Sequence, residues 1–464
     1  MKKIIFSNLF ILSFPFLFAQ TIKGTVEINM KDGLFNCNFE LHNIPQNKNY
    51  KILLNKGMNI KYFKDSNGNL VDFEGHYDGK TKGEAIEYTL LDKDGKTLTI
   101  PTSFQVDYRG AFPIYFDNTE DYGPFDYKGI IAFNGKTLRA ADQSKWYPTL
   151  YDVENDKLID KYPYEVTIKV TNSENNSIFI NGNVPQKTLS EHFISTKPSS
   201  LFIFIGNYDF ISQPAGYIIN LDTDNKSVAR IFKNIEAVKE KLANNLNLKF
   251  TDKIYIINHK AVNRRRPGSS WAFNDYPAIA FTDLNPAKML DDKGQFEPWY
   301  SKFLGHELAH NYFGTHMLSG KLSWFWLESF AEYLSFNVTE DFGFNAFLKE
   351  SLLSGAKNVE SQNFIPLSEI TEMSQINESY RYILAPLMLK CFEDTFGREK
   401  TNRVLQSLLE YAKKNTLTLE LFDEAAIASG IEAVDYQKFK QTYITSKDFK
   451  QNIIAQIRKV YGQS

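Results

Sequence analysis

The sequence predicts an α+β chain of more than one domain, with an N-terminal antiparallel β-domain and a mostly helical C-terminal part. Three observations carry this. The 464 residues suffice for about three domains at roughly 150 residues each. Short alternating segments divided by turn clusters fill residues 21 to about 195. Helical patterns dominate after residue 297. The composition, 43% hydrophobic and 23% charged, is that of a soluble globular protein and excludes a disordered, collagen-like or disulfide-scaffold chain. A formal net charge of −2 gives no electrostatic reason for a nucleic-acid partner. The aromatic content is high at 15%, mainly 38 Phe and 25 Tyr.

The N-terminus reads as a secretory leader. Lys2 and Lys3 precede an apolar stretch from Ile4 to Phe18, and Ala19 offers a small residue for cleavage. Residues 1–19 are therefore expected to be removed, which takes the formal charge from −2 to −4 because only Lys2 and Lys3 in that segment are charged. The expected destination is the periplasm or the exterior. No stretch beyond the leader has the roughly 18 consecutive apolar residues of a membrane span. Cys37 and Cys391 fall in different predicted domains, and nothing in the sequence supports pairing them.

Residues 20–197 are assigned to a β-sandwich-like domain. Thr21–Ile28, Tyr50–Leu54, Ala85–Leu91 and Glu165–Val170 alternate as half-buried strands do, and clusters such as Asp65-Ser66-Asn67-Gly68 supply the turns. None of the Asp/Gly clusters has the spacing of an EF-hand loop. Residues 198–400 form the next unit. Leu201–Ile205, Lys253–Ile257 and Ala278–Thr282 read as strands. Val228–Leu246 reads as an amphipathic helix with the stripe Ile231, Ile235, Val238, Leu242 and Leu246. Residues 401–464 form a charged helical segment.

Chemistry concentrates in Leu304-Gly305-His306-Glu307-Leu308-Ala309-His310-Asn311-Tyr312-Phe313-Gly314. At about 100° per residue, His306 and His310 lie about 40° apart around a helix and share one face. Two imidazoles so placed can bind one zinc ion, and Glu307 points to the adjacent sector as a general base. Zinc peptidases add a third protein ligand. One candidate is Glu328, on the expected next helix in Trp326-Leu327-Glu328-Ser329-Phe330-Ala331-Glu332-Tyr333. The other is His316, at the metzincin spacing, but Phe313 stands where metzincins turn on a Gly. Glu328 is preferred. Glu332, one turn later, either orients a ligand His or sits on a solvated face.

These two segments resemble the zinc helices of the gluzincin metallopeptidases of the aminopeptidase N type, whose second helix carries Trp-Leu-x-Glu-Gly-Phe-Ala. The resemblance implies a thermolysin-like catalytic domain over residues 198–400, one Zn2+ per chain held by His306, His310 and Glu328, and Glu307 as the base acting on water. Peptides or proteins are the implied substrates, with aminopeptidase-like cleavage. Seventeen residues separate His310 from Glu328, where the family has eighteen. The family also has an oxyanion-stabilising Tyr on a later helix. Tyr382-Ile383-Leu384-Ala385-Pro386 is similar to that segment, which implies Tyr382 for this role, with Tyr380 as rival. Trp146-Tyr147-Pro148 resembles the end of the family's β-domain.

Family aminopeptidases carry Gly-x-Met-Glu-Asn about thirty residues before the zinc helix, and its Glu binds the substrate's α-amino group. Ser270-Trp271-Ala272-Phe273-Asn274 takes that place here. Asn274 matches and Phe273 replaces the Glu, so both are implied substrate-binding residues, with Phe273 limited to cation–π contact. Endopeptidase cleavage, or a non-catalytic binding role, is the alternative. Arg264-Arg265-Arg266 is a basic run of either substrate-binding or solvated character. The aromatic residues Trp271, Phe273, Tyr312, Trp324, Trp326, Tyr380 and Tyr382 are expected to wall a cleft around the zinc.

Overall fold

The computed structural model describes residues 20–46, 48–77, 83–115, 126–260, 262, 271–282, 284–314 and 319–462. The leader, Arg264-Arg265-Arg266, Ser270 and His316 lie outside the described residues. The chain is α+β, with sheets filling its first half and helices its second.

An eleven-stranded sheet takes up most of the N-terminal part. The alternation of Leu34–His42, in which every second residue is buried, shows one face on a core and one toward water. The sheet departs from the expected antiparallel pattern at one point. Thr21–Asn29 lies parallel to Tyr162–Thr171, with Ile22 opposite Tyr164. A second sheet of five strands packs beneath it and shares its core, with Phe35 in ring contact with Phe133 of the second sheet and Phe35 and Phe39 each in ring contact with Trp146. The strand Ile203–Gly206 belongs to this second sheet, and Ser190–Ser199 to the first. The strand system therefore changes between residues 206 and 210, later than the expected division at 197/198.

A third sheet of five strands starts at Phe210. Its three central strands, Gly216–Ile219, Ile254–His259 and Ala278–Thr282, run parallel. A parallel sheet is covered on both faces, so its strands are apolar throughout rather than alternating. Ile254 and Ile256 face the helices, whereas Tyr255 and Ile257 face the second sheet of the N-terminal part. This third sheet is thus the seam between the two halves of the molecule.

The helix α1 (Asn225–Leu246) covers one face of that sheet. Asp224 caps it, accepting from the amides of Lys226 at 2.8 Å and Ser227 at 2.9 Å, and every member of its predicted stripe is buried. Next come α2 (Pro298–Ala309), α3 (Phe330–Asp341), α4 (Asn345–Glu360) and α5 (Ala385–Phe396). The helices from Arg398 onward continue the same core, through Leu405, Leu408, Phe422 and Ile453, and a helix spanning Arg398–Ala412 crosses the expected division at 400/401. Cys37 and Cys391 are free and buried, one in each major core. Among the described residues no helix is long and apolar enough to cross a membrane.

Candidate metal centre

Gly305 allows α2 and α3 to approach closely. A Cβ there would meet the Val338 side chain at 3.2 Å. The close approach brings the face of α2 that bears His306 and His310 against the turn that bears Glu328. That turn, Phe325–Ser329, is π-helical, as is Tyr380–Leu384 before α5. A π turn adds one residue to the helix and shifts the side chains that follow, a feature frequent at functional sites. His310 itself is the first residue past the hydrogen-bonded end of α2, with helical backbone angles of φ −64° and ψ −12°.

The three donor atoms form a small triangle. Nε2 of His306 and of His310 are 3.1 Å apart, and Oε2 of Glu328 lies 3.3 Å from the first and 3.5 Å from the second. A tetrahedral zinc with ligands at about 2.0–2.1 Å separates its donors by about 3.3–3.4 Å. The triangle therefore has the dimensions of one face of such a coordination sphere.

The far sides of both rings are tied. Nδ1 of His306 is 2.9 Å from Oε2 of Glu332, and Nδ1 of His310 is 3.0 Å from the carbonyl of Phe313. Both partners only accept, so each Nδ1 carries the proton and each Nε2 presents a lone pair inward. Glu328 Oε2 is buried with no hydrogen-bond donor. Three lone pairs facing one point repel unless a cation joins them, and the residues present therefore fit zinc.

The electrostatics agree. Burial opposes charge on Glu328, but His310 and His306 outweigh it and hold the carboxyl well below the usual range. Burial likewise opposes charge on Glu332, which Lys302 and His306 hold down to about 2. His306 is raised to about 10, because Glu328 and Glu332 overcome its burial. The pocket favours added positive charge. Glu307 differs, since burial dominates and raises its carboxyl above the ordinary value. Its Oε2 is buried and has no partner.

Glu332 is a largely buried partner of His306, and its other oxygen pairs with Lys302 of α2. Lys302 went unread in the sequence, although it lies four residues before His306 on the same helix face.

The structure separates the two tyrosines. Tyr382 is 37% exposed, its ring stands 5.9 Å from that of His306, and its phenol is raised by burial and by the Glu328 carboxylate. Tyr380 is buried, donates to the carbonyl of Ile365 at 3.2 Å and packs on Phe364 and Phe449. Only Tyr382 faces the triangle.

Asn274 and Phe273 share the strand Ala272–Asp275 and therefore face opposite ways. Asn274 donates from Nδ2 to the carbonyl of Glu307 at 2.8 Å and to Oδ1 of Asn311 at 2.9 Å, so it anchors α2. Phe273 is turned to the seam, against Phe202 and Trp271. Most of the expected aromatic wall is not at the donor triangle either. Trp326 is fully buried and donates to the carbonyl of Leu417, and Tyr312 donates to that of Leu248. Of that group, Tyr382 stands against His306, and the Arg381 guanidinium lies over both its ring and that of Trp324. Their aromatic neighbours serve the helical core.

No family model and no curated protein matches the sequence. Solved structures match its fold. An M1 zinc metallopeptidase from Deinococcus radiodurans is 12% identical, with a TM-score of 0.61 over 92% of this chain and 94% of its own. The same protein has been solved with a Tyr-Ser-Ala substrate, at a TM-score of 0.60, 12% identity, and 91% and 93% coverage. Leukotriene A4 hydrolase from Saccharomyces cerevisiae is 12% identical, with a TM-score of 0.63 over 92% of this chain and 68% of its own. The chain has the fold of the M1 zinc metallopeptidases.

Proposed function

We propose that the protein is a zinc-dependent peptidase acting, after export, on peptides or proteins. The donor triangle of His306, His310 and Glu328, with edges of 3.1, 3.3 and 3.5 Å, carries this reading. Zinc held there supplies a Lewis acid that polarises a carbonyl and acidifies water. Glu307, raised by burial, takes the proton of the attacking water and returns it to the leaving amine. Tyr382 donates to the developing oxyanion. Ala272–Asp275 is an edge strand of the third sheet, and its Asn274 is bonded to Glu307. An extended peptide added to that edge would pass beside the base.

Aminopeptidase-like cleavage follows the family resemblance. Endopeptidase cleavage is favoured by one observation: Phe273 has the Arg139 guanidinium 5.2 Å and the Lys128 ammonium 5.4 Å from its ring centre, and no carboxylate in place of its ring. Metal analysis together with a fluorogenic peptide library tests the proposal. One zinc per chain and chelator-sensitive cleavage are expected. Stoichiometric zinc without cleavage would leave a binding protein on a peptidase fold, and equal cleavage of free and N-acetylated peptides would remove the aminopeptidase label.

A further inference from the structure

A second group of buried polar atoms lies along the seam, on the other side of the strand that anchors Glu307. Arg139, on Thr137–Ala140 of the second sheet, is 1% exposed. Its Nη2 donates to Oδ1 of Asp126 at 2.5 Å and to the carbonyl of Tyr127 at 3.3 Å. Its Nε and Nη1 are buried with no acceptor among the described residues. The guanidinium lies 5.1 Å from the Trp271 ring centre and 5.2 Å from that of Phe273, and the indole Nε1 of Trp271 is likewise buried without an acceptor. Beside them Lys128 pairs with Asp142 at 2.8 Å, reaches the carbonyl of Asn274 at 3.4 Å, and its charge acts on Glu307.

Two neighbouring side chains, Arg139 and Trp271, thus carry three buried N–H groups without an acceptor among the described residues, against one buried acceptor without a donor in the same cluster, Oδ2 of Asp275. Buried donors are normally satisfied, and a cation's donors most of all. A carboxylate supplies what is missing: several acceptor lone pairs in one plane, matched to the fork of a guanidinium. An ammonium supplies only more donors.

We propose that Arg139 and Trp271 form a subsite for a carboxylate of the substrate, so that this centre selects peptides bearing a carboxylate over peptides presenting a free α-ammonium. The proposal rests on the peptidase reading for its substrate class. Its test measures binding, not turnover, and so survives failure of that reading.

Calorimetric titration of the zinc-loaded Glu307→Gln protein with four probes decides it: Ala-Ala-Ala-amide, N-acetyl-Ala-Ala-Ala-amide, N-succinyl-Ala-Ala-Ala-amide and N-acetyl-Ala-Ala-Ala with its free C-terminal carboxylate. One of the two carboxylate probes is expected to bind at least ~10-fold tighter than the neutral amide, and the free-amine probe most weakly. Arg139→Lys keeps a charge beside Asp126, loses the fork, and should erase that preference with the melting temperature little changed. Trp271→Phe keeps the ring, removes one donor and should reduce the preference severalfold, so the test stands even where Arg139→Lys does not fold. The proposal is overturned if neither carboxylate probe gains over the neutral one, if the free amine binds tightest, or if both variants retain the preference.

Discussion

Two of the buried polar clusters, which meet at the strand Ala272–Asp275, are built in opposite ways. The metal centre comes from one short run, Lys302 to Glu332, on two helices and the turn between them. Its donors converge as lone pairs, and each imidazole is fixed from behind. The seam cluster comes from Asp126, Lys128, Arg139, Asp142 and Asp275, gathered from separate strands and loops. Its charges are largely paired, Arg139 with Asp126 and Lys128 with Asp142, while among the described residues unpartnered donors, on Arg139 and Trp271, outnumber the one unpartnered acceptor, Oδ2 of Asp275. One cluster calls for a cation and the other for an acceptor. Local helix periodicity pairs the two imidazoles of the first and a neighbouring π turn adds its carboxylate, whereas the second exists only once the two halves of the molecule meet.

If that contrast is right, the metal centre depends sharply on its rear partners. Glu332→Gln leaves the ligands in place but removes the charge behind His306, and zinc affinity should fall about 10–100-fold in competition with a chelator. Unchanged affinity would mean that the Lys302–Glu332–His306 chain is incidental. The centre also depends on the spacing of α2 and α3. Gly305→Ala places a methyl group against Val338 and should cost about 1–3 kcal/mol in urea unfolding. No loss there would show that the helices separate freely.

The seam should answer to pH instead. Burial, with the neighbouring Asp142 charge, raises the Asp275 carboxyl above its ordinary value. The folded state then keeps a proton that the unfolded chain has already lost, so stability falls as pH rises through the window above the usual carboxylate range. Asp275→Asn removes that slope and should raise stability by about 1 kcal/mol at pH 7. A stability that rose with pH through this window in the wild type and not in the variant would reverse the sign of the argument.

The difference between the clusters also explains what could be read from the sequence. Glu328 as third donor is what the family resemblance implies, whereas the α1 stripe, the strands of the first sheet and the His306–His310 pair follow from short-range periodicity. The parallel pairing of Thr21–Asn29 with Tyr162–Thr171 does not, because its partners are over a hundred residues apart. Nor does the membership of Ile203–Gly206, an apolar run equally suited to either sheet system. Two π turns re-aim Glu328 and Tyr382 in a way no 3.6-residue count anticipates. The aromatic wall was misjudged for a related reason. Nearness in sequence to a zinc ligand does not tell which face of a helix a ring occupies, and Trp326 and Tyr312 turn inward. Phe273 sits one residue from Asn274 on a strand, and alternation alone sends it to the seam.

The central claim is that Glu307 acts as base beside a zinc held by its neighbours on α2 and the following π turn. Turnover of a fluorogenic peptide by Glu307→Gln, measured with its zinc content, tests this most directly. One zinc per chain is predicted, with turnover reduced at least about 10²–10⁴-fold. Full turnover by the zinc-loaded variant would contradict the account.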